Sequence, residues 1–177
     1  MSMSRRKKTP EESRVTMTEL VLPNDTNTLN NLMGGRLMHW MDIVSAISAQ
    51  KHSNSTVVTA SVDNISFRHP IRLGNAVTLV AKVTRSFNTS MEVKIEVIAE
   101  DIPNAERIIS HSAYFTFVAV ATDGKPREVP EVEPVSDEEQ KQYEGALRRR
   151  QLRLILSGRM KPEEANELRA IFEPGED

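Results

Sequence analysis

The stretch between Leu37 and Ala49 constrains the fold more than any other part of the chain. Its apolar residues would surround almost the whole circumference of a helix: Leu37, Met38, Trp40, Met41, Ile43, Val44, Ala46, Ile47 and Ala49. A helix that is apolar on nearly every side is typically a buried helix. The rest of the chain must therefore supply structure that covers this helix all round.

One carboxylate, Asp42, lies in the middle of that helix, where an unpaired charge is costly. It is either a structural residue, bonded to a polar neighbour or facing an open flank with Ser45, or a functional acid. Gly34 and Gly35 stand at the helix start, where N–H groups have no helical partner and carry partial positive charge. The two glycines either form a tight turn or let a polarised carbonyl or an anion approach those groups. Together, the glycine pair and the buried acid favour a functional site.

Five segments alternate apolar and polar residues in the manner of half-buried strands. They are residues 14–22, 56–67, 76–87, 90–99 and 107–120. The second segment changes phase at Asp63 and Asn64, which predicts a β-bulge there. One antiparallel sheet wrapped round the apolar helix accounts for the order of one strand, a helix and four strands. The sequence thus predicts an α+β fold.

The rest of the chain divides into three segments. Residues 1–12 contain a basic run without an apolar stretch behind it, which predicts a disordered arm rather than a secretory signal. Residues 123–135 interleave proline with acidic residues, as in an extended linker. Residues 136–177 open with the capping pair Ser136 and Glu139 and predict a helical extension, with a short second helix from Pro162. The late arginines of that extension match its helix dipole, or they contact phosphates or another subunit.

Composition narrows the function classes. A length of 177 residues suits one domain with a sizeable core, and a net charge of −2 gives no reason to expect a nucleic-acid or membrane surface. The chain contains no cysteine, so disulfides and thiolate catalysis are excluded. We expect a cytoplasmic protein, since a reducing compartment needs no disulfides.

Several motifs together resemble the hotdog-fold acyl-CoA thioesterases of the acyl-CoA hydrolase family, cytosolic type. The resemblance covers roughly residues 15–120, and its motifs are Asp25-Thr26-Asn27, Met33-Gly34-Gly35, Leu37-Met38, Met41-Asp42, the run 62–75 and Asn88-Thr89-Ser90. It implies a five-stranded antiparallel sheet wrapped round a central helix over residues 13–122. It also implies hydrolysis of acyl-CoA to free CoA and a carboxylic acid.

The resemblance assigns roles to four residues. Gly34 and Gly35 would stabilise the oxyanion through their N–H groups, and Asp42 would act as general base or nucleophile. Asn27 would orient the water or the carbonyl, although its side chain could instead form an Asx-turn. No metal and no cofactor are expected beyond the CoA of the substrate.

The same resemblance suggests where CoA is held. Thr89 and Ser90 would bond the pantetheine arm, unless they only form the turn between two strands. Arg68 and His69 are candidates for the nucleotide phosphates. The family pattern places Arg directly before Pro70, where this chain has His69.

Helix geometry separates Asp42 from the start of its own helix, so either the carbonyl lies elsewhere or a second copy of the chain supplies that helix start. Asp42 follows Gly35 by seven positions, which is roughly 10 Å along a helix, whereas a general base works at about 3 Å. The family arrangement of homodimers, gathered into a trimer of dimers, would bring the two together. Two other functions remain open, a non-catalytic acyl-CoA-binding module and a hydroxyacyl-thioester dehydratase with His39 as base.

Overall fold

A computed structural model describes residues 5–63, 65 and 69–172, with the backbone alone for residues 108–110. This part of the chain forms two compact units, one ending at Glu133 and the other beginning at Pro134. Residues 134 and 135, which the sequence predicts as linker, belong to the second unit.

The first unit contains one five-stranded antiparallel sheet and one long helix. In chain order its elements are β1 (Lys7–Lys8), β2 (Val15–Leu20), α1 (Gly34–Ser53), β3 (Thr56–Val62), β4 (Ala76–Ser86), β5 (Ser90–Asp101), β6 (Glu106–Val120) and β7 (Glu131–Val132). The sheet order is β2-β4-β5-β6-β3, so β2 and β3 are its edges. The predicted α+β fold, five antiparallel strands round a central helix, is confirmed.

The core lies between the inner face of the sheet and one side of α1. Leu79, Ile95 and Phe115 contribute from three neighbouring strands and are almost fully buried. Met41 and Val44 of α1 have no exposed surface. Alternate residues of a strand point to the same face, so the period-two pattern of the sequence supplies this surface.

The opposite side of α1 is not covered. Ile43 and Ile47 form this outer α1 face, and about two-fifths of each residue is exposed, at 38% and 42%. The prediction that the helix is buried all round is therefore wrong for the single chain. The reason is geometric, because one sheet can cover only one side of a helix.

Strand β3 is distorted, although not where the sequence predicts. The pairing of β3 with β6 shifts register between Thr59 and Ser61, which places the irregularity at Ala60. Pairing continues beyond it, since the N–H of Asp63 donates to the carbonyl of Tyr114 at 2.9 Å. Asn64, the other half of the predicted bulge, lies outside the described residues.

The basic arm and the proline-rich segment pair with each other. Strands β1 and β7 are parallel, with Lys7 opposite Glu131 and Lys8 opposite Val132. Lys8 is 6% exposed, and its Nζ donates to the carbonyl of Lys51 at 2.8 Å and to Asn54 Oδ1 at 2.6 Å. From Arg5 onward the arm is thus structured, contrary to the prediction of disorder. The ammonium group of Lys8 satisfies acceptors at the carboxyl end of α1, where cations are favoured.

The second unit is helical. Helix α2 (Asp137–Leu156) begins as predicted, with the Glu139 N–H donating to Ser136 Oγ at 3.2 Å. The helix predicted from Pro162 is wrong in extent, because a 3₁₀ turn (Pro162–Glu164) precedes a single short helix, α3 (Asn166–Arg169). Ala165, at φ −90° and ψ 66°, interrupts the helical backbone between them. No helix in the described ranges is both long and apolar enough to cross a bilayer.

Candidate active site

The loop before α1 is organised by Asp25. This residue is 8% exposed. Its Oδ2 accepts from the N–H of Leu22 at 3.0 Å, and its Oδ1 pairs with Arg36 Nε at 2.8 Å. Its carbonyl accepts from the N–H of Met33 at 2.9 Å. Asp25 therefore holds both ends of the loop against the start of α1.

Asn27 occupies the tip of that loop. Its Oδ1 accepts from the N–H groups of Leu29 at 2.9 Å and Asn31 at 3.2 Å. Asn30 takes a left-handed conformation at φ 56° to close the turn. The amide oxygen of Asn27 thus belongs to the loop, as in an Asx-turn. Its Nδ2 is the donor left for another molecule, because the residue is exposed and its side chain has no other bond within the described part of the chain.

The start of α1 presents bare N–H groups. The first backbone bonds of the helix come from Arg36 and Leu37, which donate to the carbonyl of Met33 at 3.0 and 3.1 Å. Met33 offers no side-chain cap. The N–H groups of Gly34 and Gly35 therefore have no partner among the described residues. Beyond its neighbours and the adjoining helix backbone, a Cβ added at Gly35 would meet no described atom within 4 Å, so the described chain leaves open space beside them.

Asp42 is half-buried and has one polar partner among the residues that the structure describes. The hydroxyl of Thr59 donates to Asp42 Oδ1 at 2.8 Å. This bond ties the helix to the edge strand β3 at the residue before its distortion. The carboxylate is thus fixed in orientation, and the residue is not fully enclosed in the single chain.

The single chain does not assemble all the predicted catalytic groups. Gly35 and Asp42 lie on one uninterrupted helix, so their separation stays at roughly 10 Å. The recorded partners of Asn27 lie in its own loop, whereas that of Asp42 lies on β3. The structure brings Asn27, Gly34 and Gly35 to one end of α1 and leaves Asp42 two turns further along.

The predicted CoA contacts are placed only in part. Thr89 lies in the turn between β4 and β5, and its carbonyl accepts from the N–H of Ala119 at 2.9 Å. Ser90 is the first residue of β5, and its carbonyl accepts from Phe87 N at 2.8 Å. His69 is exposed, and Arg68 lies outside the described residues.

Sequence reasoning missed Thr59 and the pairing of Asp25 with Arg36. Thr59 reads only as a polar position in an alternating strand, and nothing local connects it to Asp42. The sequence places Asp25 in a motif but does not name its partner. The available signal was Arg36, a basic residue at the start of the helix that follows this acid. Across the described stretches, no group of three His, Cys, Asp or Glu residues could hold a metal ion.

Comparison with known proteins agrees with this geometry. The profile of the thioesterase superfamily matches residues 29–106. The chain is 40% identical to the uncharacterized acyl-CoA thioester hydrolase YkhA of Bacillus subtilis, over 78% of this chain and 81% of that protein.

Solved structures are similar over most of the chain. An apo-hexameric acyl-CoA thioesterase superposes with a TM-score of 0.83 at 39% identity, over 86% of this chain and 97% of that one. The acyl-CoA hydrolase of Staphylococcus aureus, solved with butyryl-CoA, CoA and CoA disulfide, gives 0.79 at 37% identity, over 86% and 94%. Variants of that hydrolase with an aspartate, an asparagine or a threonine changed to alanine have also been solved.

A sheet wrapped round a helix, with bare N–H groups at the helix start and an acid further along it, defines the hotdog class of thioester enzymes. The extent of the similarity then identifies the family. The chain belongs to the hotdog-fold acyl-CoA thioester hydrolases of the thioesterase superfamily.

Proposed function

We propose that this protein hydrolyses acyl-CoA to free CoA and a carboxylic acid at sites shared between two copies of the chain. One observation carries the proposal. The bare N–H groups of Gly34 and Gly35 and the carboxylate of Asp42 are the two halves of a hydrolytic site, yet they lie on one unbroken helix, roughly 10 Å apart. A second copy supplies the missing half at each site.

The N–H groups at the start of α1 polarise the thioester carbonyl. As water adds to the carbonyl carbon, negative charge develops on the oxygen, and fixed N–H donors stabilise it without reorganising. The helix dipole acts in the same direction. The open space beside Gly35 supports this role, because the oxygen must come within about 3 Å of the donors.

Asp42 from the other copy activates the water as a general base, or attacks the carbonyl as a nucleophile. The bond from Thr59 occupies Oδ1 and leaves Oδ2 for the reacting molecule. Thr59 therefore orients the acid. The three residue types altered in the Staphylococcus aureus variants are those of Asp42, Asn27 and Thr59, which supports the assignment.

Asn27 contributes its Nδ2 as a donor to the water or to the carbonyl. Its Oδ1 is already held by two N–H groups of the loop, so the direction of the amide is set before substrate arrives. Such preorganisation lowers the entropic cost of positioning.

The CoA part of the substrate would lie along the turn between β4 and β5. Thr89 and Ser90 offer hydroxyls to the pantetheine arm, and Arg68 and His69 offer positive charge or N–H donors to the phosphates. CoA enters as part of the substrate, so the reaction as proposed requires no separate cofactor.

The proposed assembly begins with a homodimer. The outer α1 face and the edge strand β3 are uncovered in one chain, and a second copy placed there would remove an exposed sheet edge. An isologous pair of this kind builds two equal sites. We further propose a trimer of dimers, because a similar solved thioesterase is hexameric, and a cytoplasmic location, because the chain has no cysteine.

The test is release of free CoA from acyl-CoAs of graded chain length. We expect turnover by the wild type, a loss of roughly 10²- to 10⁴-fold in Asp42→Asn, and full activity in Asp137→Asn. Asp137 is the matched control, since it is an exposed helical aspartate of the second unit. Tight binding of acyl-CoA without any release would instead support a non-catalytic binding module.

A further inference from the structure

A row of buried polar groups follows Asp42 along the inner side of α1. Ser45, Ser48 and His52 each have no exposed surface. The Oγ atoms of both serines and the Nδ1 of His52 have no hydrogen-bond partner among the described residues. Buried polar atoms are almost always bonded, so three such atoms on one helix require an explanation.

The serines do not form the bond that a helical serine most easily forms. Ser53, on the same helix, donates its hydroxyl to the carbonyl of Ala49 at 2.8 Å. A hydroxyl in a helix commonly bonds the carbonyl four residues earlier in this way. Ser45 and Ser48 do not, and their hydroxyls remain available to a partner outside the helix backbone.

The spacing fits a small bridging molecule. Asp42, Ser45, Ser48 and His52 follow one another at intervals of three, three and four residues. Residues at these intervals are neighbours on a helix surface, with about 5–6 Å between Cβ atoms. Side chains at this separation can bond directly or through one water molecule. Ser45 Oγ, Ser48 Oγ and His52 Nδ1 make no direct bond within the described residues, so a bridging water is the remaining partner.

His52, at the end of the row furthest from Asp42, has a fixed hydrogen-bond partner. His52 Nε2 lies 2.9 Å from the carbonyl of Pro130. Because a carbonyl can only accept, Nε2–H donates to Pro130. Burial lowers the pKa of His52, which favours the neutral ring with Nδ1 as an acceptor. Pro130, Ser53 and Asn54 line a surface groove of about 270 Å³. The row thus runs from the acid of the proposed site to a groove open to solvent.

We propose that ordered water molecules occupy the three gaps between Asp42, Ser45, Ser48 and His52, and that the two serines act through them as positioning residues for Asp42. Three internal waters are a plausible number, since globular proteins hold about one per 27 residues. The positioning role rests on the proposed function, whereas the hydration does not.

The direct test is a crystal structure of the full chain at a resolution that orders water. We expect a water in each gap, bonded to Ser45 Oγ, Ser48 Oγ and His52 Nδ1. Hydroxyls turned back onto the carbonyls of Met41 and Val44, with nothing in the gaps, would overturn the proposal.

Thermal unfolding of Ser45→Ala and Ser48→Ala shows whether water bonds these hydroxyls, because the melting temperature changes in opposite directions in the two cases. If water bonds these hydroxyls, each variant loses those bonds, and we expect the melting temperature to fall by roughly 2–4 °C. If the hydroxyls are buried and unbonded, alanine removes an unsatisfied group and the melting temperature rises. Ser53→Ala calibrates the scale, since it loses one known hydrogen bond.

Kinetics test the positioning role. We expect kcat of Ser45→Ala to fall roughly 3- to 10-fold with KM unchanged, the effect of losing about one hydrogen bond in the transition state. Ser53→Ala should keep its kcat. An unchanged kcat in Ser45→Ala would refute the positioning role. A wild type that shows the waters but hydrolyses no acyl-CoA would refute the proposed function alone.

Discussion

Replacing Gly35 with alanine should make the protein more stable and less active. Gly35 lies in the first turn of α1, and a Cβ added there meets no described atom within 4 Å beyond its neighbours and the adjoining helix backbone. The new methyl group therefore costs nothing in packing within one chain. It would, however, stand in the space through which the thioester oxygen must approach the N–H groups of Gly34 and Gly35.

The two effects have different sizes and opposite signs. Alanine in place of a helical glycine raises the free energy of unfolding by about 0.5–1 kcal/mol. Loss of one oxyanion donor lowers kcat by roughly 10²- to 10³-fold, or about 2.7–4 kcal/mol in activation free energy. Because misfolding lowers stability and activity together, it cannot imitate this combination.

The assay is colorimetric detection of the CoA thiol, beside thermal unfolding of the same samples. The chain has no cysteine, so the protein contributes no thiol background. Gly124→Ala is the reciprocal control, because Gly124 sits at φ +79° in a turn where a side chain is strained. It should lose stability and keep turnover. Wild-type turnover in a well-folded Gly35→Ala protein would refute the oxyanion role of this helix start.

Three further predictions concern the assembly and its stability. Purified mixed dimers of Asn27→Ala and Asp42→Ala chains, isolated with two tags, should reach about half of wild-type turnover, and dimers as inactive as their parents would exclude a shared site. Ile43→Asp should convert the assembly to monomers by light scattering and abolish turnover, whereas an active monomer would defeat the proposed dimer. The pKa of His52 is lowered chiefly by burial, so the unfolded state binds the proton more readily. The free energy of unfolding should therefore fall as pH drops below about 6.5, and it should fall less in His52→Gln. The same pH dependence in both proteins would contradict this role of His52.

The sheet and its central helix could be predicted because their information is local. Strands β4, β5 and β6 carry a period-two pattern long enough to fix both their type and their inner face. The cap of α2 by Ser136 was equally readable, since its donor and acceptor lie three residues apart. Patterns of this kind are set by neighbouring residues, so one sequence suffices.

Other features depend on contacts between distant residues, which one sequence does not reveal. The bond between Thr59 and Asp42 joins a strand to a helix 17 positions earlier. Glu92 alternates like a solvent-facing residue of β5, yet it is fully buried and accepts from Thr84 Oγ1 at 2.7 Å. The basic arm carried no signal that its partner would be the proline-rich segment.

The pairing of β1 with β7 has a consequence for synthesis of the chain. Arg5 is synthesised before its ion-pair partner Glu128, which follows 123 positions later. During that interval Lys8 can reach the end of α1, whereas no residue of β7 exists to hold the arm. Chains are made at about 5–20 residues per second, so the N-terminal arm waits several seconds for its strand partner. A fusion partner placed before Arg5 would affect the arm during that interval. It should therefore change the yield of folded protein and leave the activity of the folded enzyme unchanged.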